Sequence, residues 1–311
     1  MSSMSSNAGS PVEHETFTYT DAEGVEITAY RWVPGAPSHD TDVIAGALDG
    51  AEPVGVVQIS HGLGEYALRY DAFAQALTAN GFIVYADDHR GHGQTGVQQH
   101  HGDLDRLGRL GPGGLRAAEA AILQLTGIIR ERHPGLPLVL YGHSWGSLMA
   151  QRMLNREPRA FEAVVLSGTA YRTVKFMESG KLNARWAGQG ANGFEWLSRD
   201  TAVSTAFLAD PLCFEADVLK LFGLADGLRL YGTPGAGLAP DVPILIISGG
   251  DDPICRGDGL QRLAAAYRAR GVRDVTLKVY PGARHETLNE INRDEVAADL
   301  ITWITDRVAG D

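Results

Sequence analysis

Short apolar runs alternate with stretches of helical hydrophobic spacing along most of the chain. Between the runs, apolar residues recur every three or four positions, as in the predicted helix that starts near Gly113 and is stopped by Pro134. Strands that are apolar throughout and alternate with helices are typical of a parallel sheet covered on both faces. The apolar runs predict buried strands at 54–59, 82–86, 138–141, 163–166 and 244–247.

The two ends of the chain extend this pattern. Residues 17–20 and 25–32 predict two strands joined by a tight turn, and a further strand is predicted at 275–280. Apolar residues at helical spacing between 296 and 304 predict a C-terminal helix. Residues 34–53, with Gly, Pro and acidic side chains, predict a loop that is unusually long for a compact domain.

Residues 171–240 break the alternation. Large aromatic side chains stand there among Gly and polar residues, with no clear strand pattern. We interpret this stretch as a mostly helical insertion that caps the C-terminal edge of the sheet, where open α/β sheets place their sites. An ordinary pair of core helices is the alternative. The predicted organisation is therefore a disordered tail at 1–13, a core formed by 14–170 and 241–311, and the cap at 171–240.

Composition limits the classes of protein to consider. The chain has 311 residues, enough for one large domain, and its net charge of -11 argues against nucleic acid and anionic membrane surfaces as partners. Two cysteines, Cys213 and Cys255, do not make a disulfide framework. No apolar run approaches the ~18 residues of a transmembrane helix, and the N-terminus lacks the features of a signal peptide. A cytoplasmic protein is expected.

The chemistry starts at Ser144. The apolar run from Leu138 ends in Gly-His-Ser-Trp-Gly at 142–146, and a helical pattern follows at once. A serine at such a strand-to-helix turn stands clear of both elements, and glycines two residues before and after it avoid collisions across the turn. The pattern predicts that Ser144 is a nucleophile.

A serine hydroxyl needs a base and a third group that orients the base. In doubly wound hydrolase sheets the order along the chain is Ser, acid, His. Asp251 and Asp252 follow the strand at 244–247, and His285 follows the strand at 275–280. Both loops are expected at the same edge of the sheet as Ser144, and the residues leave the choice between Asp251 and Asp252 open.

The oxyanion of an acyl-transfer reaction needs two backbone N–H donors. One is expected from Trp145, the residue after the nucleophile, and one from the loop after the strand at 54–59. That loop contains Gly62 and Gly64, which let the backbone approach an ester closely, and Leu63 N–H is the predicted second donor.

Together these segments resemble the monoglyceride lipase and lysophospholipase group of α/β-hydrolases, of the serine aminopeptidase S33 type. The similarity covers about 53–170 and 242–309. The segments that resemble the family are 61–65 with Arg69 and Tyr70, 88–93, 142–146, and 249–252 with His285.

The resemblance implies an α/β-hydrolase fold with a mostly parallel, doubly wound sheet and a helical cap. It implies that Asp252 is the acid of the triad, and that 171–240 covers an acyl pocket. Side chains or backbone near the nucleophile are expected to contact the substrate; these are His61, Gly62, His143, Trp186 and Trp196.

The expected function is hydrolysis of a monoacyl lipid ester, such as a monoacylglycerol, through an acyl-enzyme on Ser144. Alternatives are a lysophospholipase, a broad short-chain carboxylesterase, a peptidase, or a non-catalytic hydrolase-fold protein that binds a small ligand. The expected partner is a small acyl ester, and the oligomeric state stays open. No cofactor is expected. No metal is expected either, because the spacing of the neighbouring histidines fits no standard ligand set; these are His89, His92, His100 and His101.

Overall fold

The structure of the chain, a computed structural model, describes residues 14–35, 52–178 and 180–308. The predicted tail at 1–13 and most of the predicted long loop at 34–53 lie outside the described residues.

Eight strands form one sheet in the order β1-β2-β4-β3-β5-β6-β7-β8. β1 and β2 form the predicted hairpin, β2 runs antiparallel to β4, and every pair from β4 through β8 is parallel. The prediction of a mostly parallel sheet is confirmed. The strands are β1 (Glu15–Thr20), β2 (Glu26–Trp32), β3 (Gly55–Ser60), β4 (Phe82–Asp87), β5 (Leu138–His143), β6 (Ala163–Ser167), β7 (Ile244–Gly249) and β8 (Val275–Tyr280).

Helices cover both faces of this sheet. On one face the core contains apolar side chains of α3, α4 and α7, and on the other those of α1 and α8. Alternate residues of one strand enter the two cores, since Leu138 and Leu140 face the first and Val139 and Tyr141 the second. The helices are α1 (Asp71–Ala79), α2 (Gly93–Gln99), α3 (Gly114–Arg132), α4 (Trp145–Leu154), α5 (Thr201–Ala209), α6 (Val218–Arg229), α7 (Gly259–Ala269) and α8 (Arg293–Val308).

Helix α2 was not predicted from the sequence. It contains two glycines and three glutamines and has no apolar periodicity. Its first turn is held by tertiary hydrogen bonds instead: the Asp88 carboxylate accepts the Gln94 N–H at 2.7 Å, and the Thr95 hydroxyl accepts the Thr28 N–H at 2.8 Å. Contacts between distant segments therefore decide its conformation.

The segment at 171–240 departs from the alternation, as expected, but helices occupy less of it than predicted. Only α5 and α6 form there, while the described residues from 180 to 200 lie in turns and loops. The physical reason is the glycine content of that part, which favours turns over helix. Helix α6 is itself interrupted at Gly223, whose φ of 73° is not helical.

The C-terminal half of α6 is fixed to the core. The Asp226 carboxylate accepts the Leu115 N–H at 3.0 Å and so caps the start of α3. Arg152 donates to the Arg229 carbonyl at 2.5 Å, and Arg172 donates to the Leu230 carbonyl at 2.8 Å. These arginines satisfy carbonyls that the end of a helix leaves without partners.

None of the helices in the described part of the chain is long and apolar enough to cross a membrane.

Candidate active site

Ser144 lies at the sharp turn between β5 and α4. Its φ of 51° and ψ of -121° form a backbone conformation that side chains with a Cβ rarely adopt. A Cβ at Gly146 would overlap the carbonyl oxygens of Ser60 and His61, and a Cβ at Gly142 would lie 2.9 Å from the Gly146 carbonyl oxygen. The two glycines are thus sterically required, as the motif predicted.

The loops after β7 and β8 bring Asp252 and His285 into contact. His285 Nδ1 lies 3.0 Å from each carboxylate oxygen of Asp252. The same carboxylate accepts the Ser248 hydroxyl at 2.9 Å and the Ile254 N–H at 3.0 Å, so its position is fixed from three directions. Asp251 instead faces the surface, where Arg185 donates to it at 2.6 Å.

Charge in this pair is set by burial and by the partner. Burial alone would raise the pKa of Asp252, but the nearby His285 and the donated hydrogen bonds outweigh it and lower the pKa. Burial alone would lower the pKa of His285, but Asp252 outweighs it and raises the pKa. Asp252 is therefore an ionised acceptor, which favours a proton on Nδ1 and leaves Nε2 free to accept one.

His285 Nε2 is buried and has no hydrogen-bond partner among the described residues. Ser144 and His285 line the same small cavity, whose volume is about 20 Å³. Glu65 and Glu286 also line it, together with Phe207 from the insertion. By the usual criterion this volume accommodates about one water molecule.

A second cavity, of about 50 Å³, also borders Ser144 and is lined by Trp145 and Leu148. It shares walls with a larger cavity of about 660 Å³, which is lined by residues of the insertion itself. The shared lining is almost entirely apolar: Met177, Leu182, Trp196, Ala216, Val218 and Leu230. Ser144 thus lies between the small cavity, whose wall includes two glutamates, and apolar walls that continue into the larger cavity.

The residues of the two predicted oxyanion donors both lie beside Ser144. Leu63 follows β3 and lines both the small and the 50 Å³ cavity beside Ser144. Trp145 is the first residue of α4, and the first N–H groups of a helix have no partner within it. Both backbone segments are therefore suited to hold a developing negative charge.

The five residues predicted to bind substrate occupy different positions. Trp196 lines all three cavities and packs against the His285 ring at 4.7 Å between centroids. His143 lines the small cavity and packs against His285 at 4.7 Å, and Gly62 lines that cavity as well. Trp186 lies over Arg284, at 4.7 Å from the guanidinium, and lines none of the three cavities at the described residues.

His61, the fifth of these residues, is fully buried below the loop. Its Nε2 accepts the His89 N–H at 3.0 Å, so Nδ1 carries the proton that is donated to the Gly62 carbonyl at 2.7 Å. Burial, together with the neighbouring His89 and His92, lowers its pKa well below the ordinary value. The neutral imidazole thus braces the loop that contains Leu63. No three His, Cys, Asp or Glu side chains of the described residues are grouped as a metal ion requires.

A short strap from the insertion, residues 195–199, is hydrogen-bonded to the loop that contains His285. Arg284 donates to the carbonyls of Glu195 at 2.5 Å and Ser198 at 2.9 Å. The His285 N–H donates to the Trp196 carbonyl at 3.3 Å, and the Glu286 N–H donates to the Leu197 carbonyl at 2.8 Å. Sequence reasoning missed the strap because backbone pairing between distant loops leaves no periodic signal.

Comparison with known proteins is consistent with this geometry. The family model described as "Serine aminopeptidase, S33" matches residues 51–292. A monoacylglycerol lipase of Mycolicibacterium smegmatis is 32% identical over 298 residues, which is 92% of this chain and 95% of the relative. The monoglyceride lipase of Mus musculus is 26% identical over 268 residues, 83% of this chain and 84% of that protein.

The fold is also found among solved structures. A thermostable carboxyl esterase from Bacillus coagulans, crystallised with glycerol, has a TM-score of 0.79 and 24% identity; the match covers 95% of this chain and 99% of that one. At this identity the likeness shows the fold alone, and it confirms the predicted α/β-hydrolase fold.

Proposed function

Because the chain belongs to the serine aminopeptidase S33 family of α/β-hydrolases and is an ester hydrolase, we propose that it is a serine esterase that cleaves monoacyl lipids, monoacylglycerols above all. The observation that supports this proposal is the position of Ser144, which lies between the buried pair Asp252–His285 and a cavity of about 50 Å³ whose apolar walls continue into a cavity of about 660 Å³. The insertion at 171–240 is then the cap over the acyl chain.

In the proposed reaction, Ser144 Oγ attacks the ester carbonyl carbon while His285 Nε2 takes the hydroxyl proton. Asp252 holds the imidazole at Nδ1 and stabilises its positive charge. The tetrahedral oxyanion accepts the N–H groups of Leu63 and Trp145. Collapse breaks the bond to the alcohol, which leaves with the proton from His285. Water then attacks the acyl-enzyme while His285 takes its proton, and the fatty acid departs as that proton passes from His285 to Ser144 Oγ.

The two cavities suggest how the substrate is oriented. The apolar walls shared by the 50 Å³ and 660 Å³ cavities give the acyl chain a place to bury its methylenes, each worth about 0.8 kcal/mol. The alcohol part then faces the small cavity, where the carboxylates of Glu65 and Glu286 form part of the wall. The two carboxylates share one guanidinium, that of Arg69, so the group retains net negative charge, which disfavours a phosphate in a buried site. This favours a neutral glycerol head group over a lysophospholipid.

A panel of esters tests the function. Four additional buried carbons contribute about 3 kcal/mol, so kcat/KM should rise about a hundredfold from C4 to C8 monoacyl esters, measured below micelle formation. A glyceryl ester should exceed the phosphate-bearing ester of the same acyl chain. Flat or falling values from C4 to C8 would leave a broad short-chain carboxylesterase, and preference for the phosphate-bearing ester would leave a lysophospholipase.

The nucleophile is tested on the same enzyme. Ser144→Ala should lose about 10³-fold or more in kcat without loss of folding. An organophosphonate should label Ser144, as mapped by mass spectrometry of the inhibited protein. A label on Ser60, Ser147 or Ser248 would contradict the assignment.

A further inference from the structure

We infer that Glu65 is a positioning residue, which holds the backbone at 62–63 where it can bind the oxyanion, and that Arg69 fastens this loop to the loop of the base. The inference rests on the proposed function. Hydrogen bonds join four side chains into what we call the Glu65 cluster: Glu65, Arg69, Tyr70 and Glu286. None of these four side chains takes part in the proton transfers of the proposed reaction.

Glu65 accepts three hydrogen bonds with its two oxygens. Oε1 accepts the Gly62 N–H at 2.6 Å and the Tyr70 hydroxyl at 2.7 Å. Oε2 accepts a guanidinium N–H of Arg69 at 2.7 Å. Because all three partners are donors, the group acts as an ionised carboxylate. Its bond to Gly62 fixes the peptide immediately before the predicted donor, Leu63.

The loop at Gly62 is tightly packed between the Glu65 carboxylate and Ser144. A Cβ added to Gly62 would stand 2.6 Å from Glu65 Oε1 and 3.0 Å from Ser144 Cβ. The backbone at Gly62 is thus packed between the two side chains. The position of the Glu65 carboxylate therefore sets how close the loop comes to Ser144.

Arg69 extends this support to the base. Its guanidinium binds Glu286 through two hydrogen bonds, at 2.8 Å and 2.9 Å, while one of the same nitrogens binds Glu65. Glu286 directly follows His285 in the chain. One guanidinium therefore joins the loop of the oxyanion donor to the loop of the base.

The charged side chains of the Glu65 cluster are buried, and removing them from water costs free energy. The side chains of Glu65 and Glu286 are each 5% exposed and that of Arg69 is 13% exposed. Burial raises the pKa of Glu65, although the charge of Arg69 acts against this increase. For Glu286 the effect of Arg69 outweighs that of burial and lowers the pKa to about 2. Apolar side chains of similar volume stabilise a protein as well or better than a buried ion pair. What a charged cluster adds is fixed geometry.

The chemical consequence concerns the transition state more than the bound ester. Oxyanion donors are effective at about 2.7–3.1 Å from the developing charge, and removing one donor costs about 10²–10³ in kcat. Loosening a donor should cost part of that. The acyl chain meets other residues, so KM should change little.

Tyr70→Phe removes one hydrogen bond to Glu65 and leaves the ring that packs against Tyr141. Its kcat on a C8 glyceryl ester should fall about tenfold with KM within about twofold, a part of the cost of a whole donor. The Ki of a C8 trifluoromethyl ketone, which forms a tetrahedral oxyanion on serine, should rise by the same factor. The Ki of the methyl ketone of equal length should stay within about twofold. Glu65→Gln keeps an acceptor for Gly62 but loses the charge that pairs with Arg69, and should show the same pattern more strongly.

Tyr85→Phe is the matched control, because it removes a hydrogen bond of another buried tyrosine, to His133 at 2.9 Å, on an element outside the site. It should change neither kcat nor the Ki of the fluorinated ketone.

The inference is overturned if Tyr70→Phe behaves like Tyr85→Phe, or if the kcat of Tyr70→Phe falls with no change in the Ki of the fluorinated ketone. A wild-type protein that hydrolyses no ester would refute the proposed function instead. Melting temperatures show that each variant is folded, and Tyr70→Phe suffices if Glu65→Gln does not fold.

Discussion

Asp251 and Asp252 are neighbours in sequence, yet their carboxylates meet different surroundings. Asp252 is buried against His285, whereas Asp251 pairs with Arg185 at the surface. Exposed ion pairs contribute little, while the group that orients a catalytic histidine decides which of its nitrogens accepts the proton. The two aspartates therefore make an internal comparison for the proposed mechanism.

Asp252→Asn should lower kcat by about 10⁴, because the amide favours the wrong histidine tautomer. Asp251→Asn should stay within about threefold of the wild type, since it loses only a surface pair. Steady-state kinetics of both variants on one C8 ester measures the difference. Equal damage in the two variants, or greater damage in Asp251→Asn, would reverse the choice.

At this scale the sequence predicted the turn at Ser144 and the loops of its two partners, since each follows an apolar strand. It could not choose between Asp251 and Asp252 without the family resemblance, because both directly follow the same turn. It also gave no sign that Trp186 packs on Arg284 rather than along a cavity. Side-chain direction within an irregular segment depends on packing, which a single sequence does not reveal.

At the scale of elements, the insertion consists of parts that are held differently. The strap at 195–199 is hydrogen-bonded to the loop of His285, and the end of α6 is held by Arg152 of the core and by Arg172 at the start of the insertion. By contrast, Phe207 on α5 closes the small cavity by ring contacts, with Phe194 at 4.8 Å and over Arg69 at 5.0 Å. A cavity of about 20 Å³ is too small for a glycerol group, so its lining has to move when an alcohol occupies it, and we expect the Phe207 ring to be the part that moves.

Phe207→Ala should therefore raise kcat/KM for C8 esters of bulky alcohols about tenfold relative to the C8 methyl ester, because the ring no longer has to be displaced. The variant should also melt at a lower temperature, since it loses buried apolar contacts. Leu208→Ala is the control, because that neighbour on the same helix is 59% exposed and should leave the ratio unchanged. An unchanged ratio in Phe207→Ala would show that the alcohol leaves by another side.

The regular elements were predictable because burial imposes periodicity on them, and their predicted bounds differ from the observed ones by a few residues. The elements that were missed have no such periodicity. Helix α2 depends on Asp88 and Thr95, and the non-helical part of the insertion depends on its glycines and on polar contacts with the core. Such elements are specified by tertiary contacts, which local patterns do not contain.

At the scale of the whole molecule, buried titratable groups make stability depend on pH. Burial lowers the pKa of His92 to about 3; burial and the neighbouring His285 lower that of His143 to about 3, and His61 is lowered as well. Unfolded histidine takes up a proton near pH 6.5, so below that pH the unfolded chain binds more protons and stability falls. Asp88, Glu65 and His285 act in the opposite direction, because their pKa values are raised, that of Asp88 to about 6. The pKa values of His100, His133, Asp252 and Glu286 are lowered as well, so more groups reduce stability at low pH than raise it.

The free energy of unfolding should therefore decrease as pH falls from 6.5 towards 4, by about 1.4 kcal/mol per pH unit for each proton of difference. Urea titrations at several pH values measure this slope. His92→Gln should reduce it by up to one proton, whereas His101→Asn, at an exposed loop position, should leave it unchanged. A stability that is constant or rises between pH 6.5 and 4 would contradict the argument.

The contact between Arg69 and Glu286 spans 217 positions of the chain. A nascent polypeptide leaving the ribosome presents Ser144 long before Asp252, His285 and Glu286 have been synthesised, so the proposed triad forms only late in synthesis. If the proposed roles hold, a chain divided at the turn around 233–237 should give two inactive fragments, one with the proposed nucleophile and the other with its proposed acid and base. Hydrolysis of a chromogenic ester would then be detected only after the two fragments associate, so the divided chain could be used as a split-enzyme reporter.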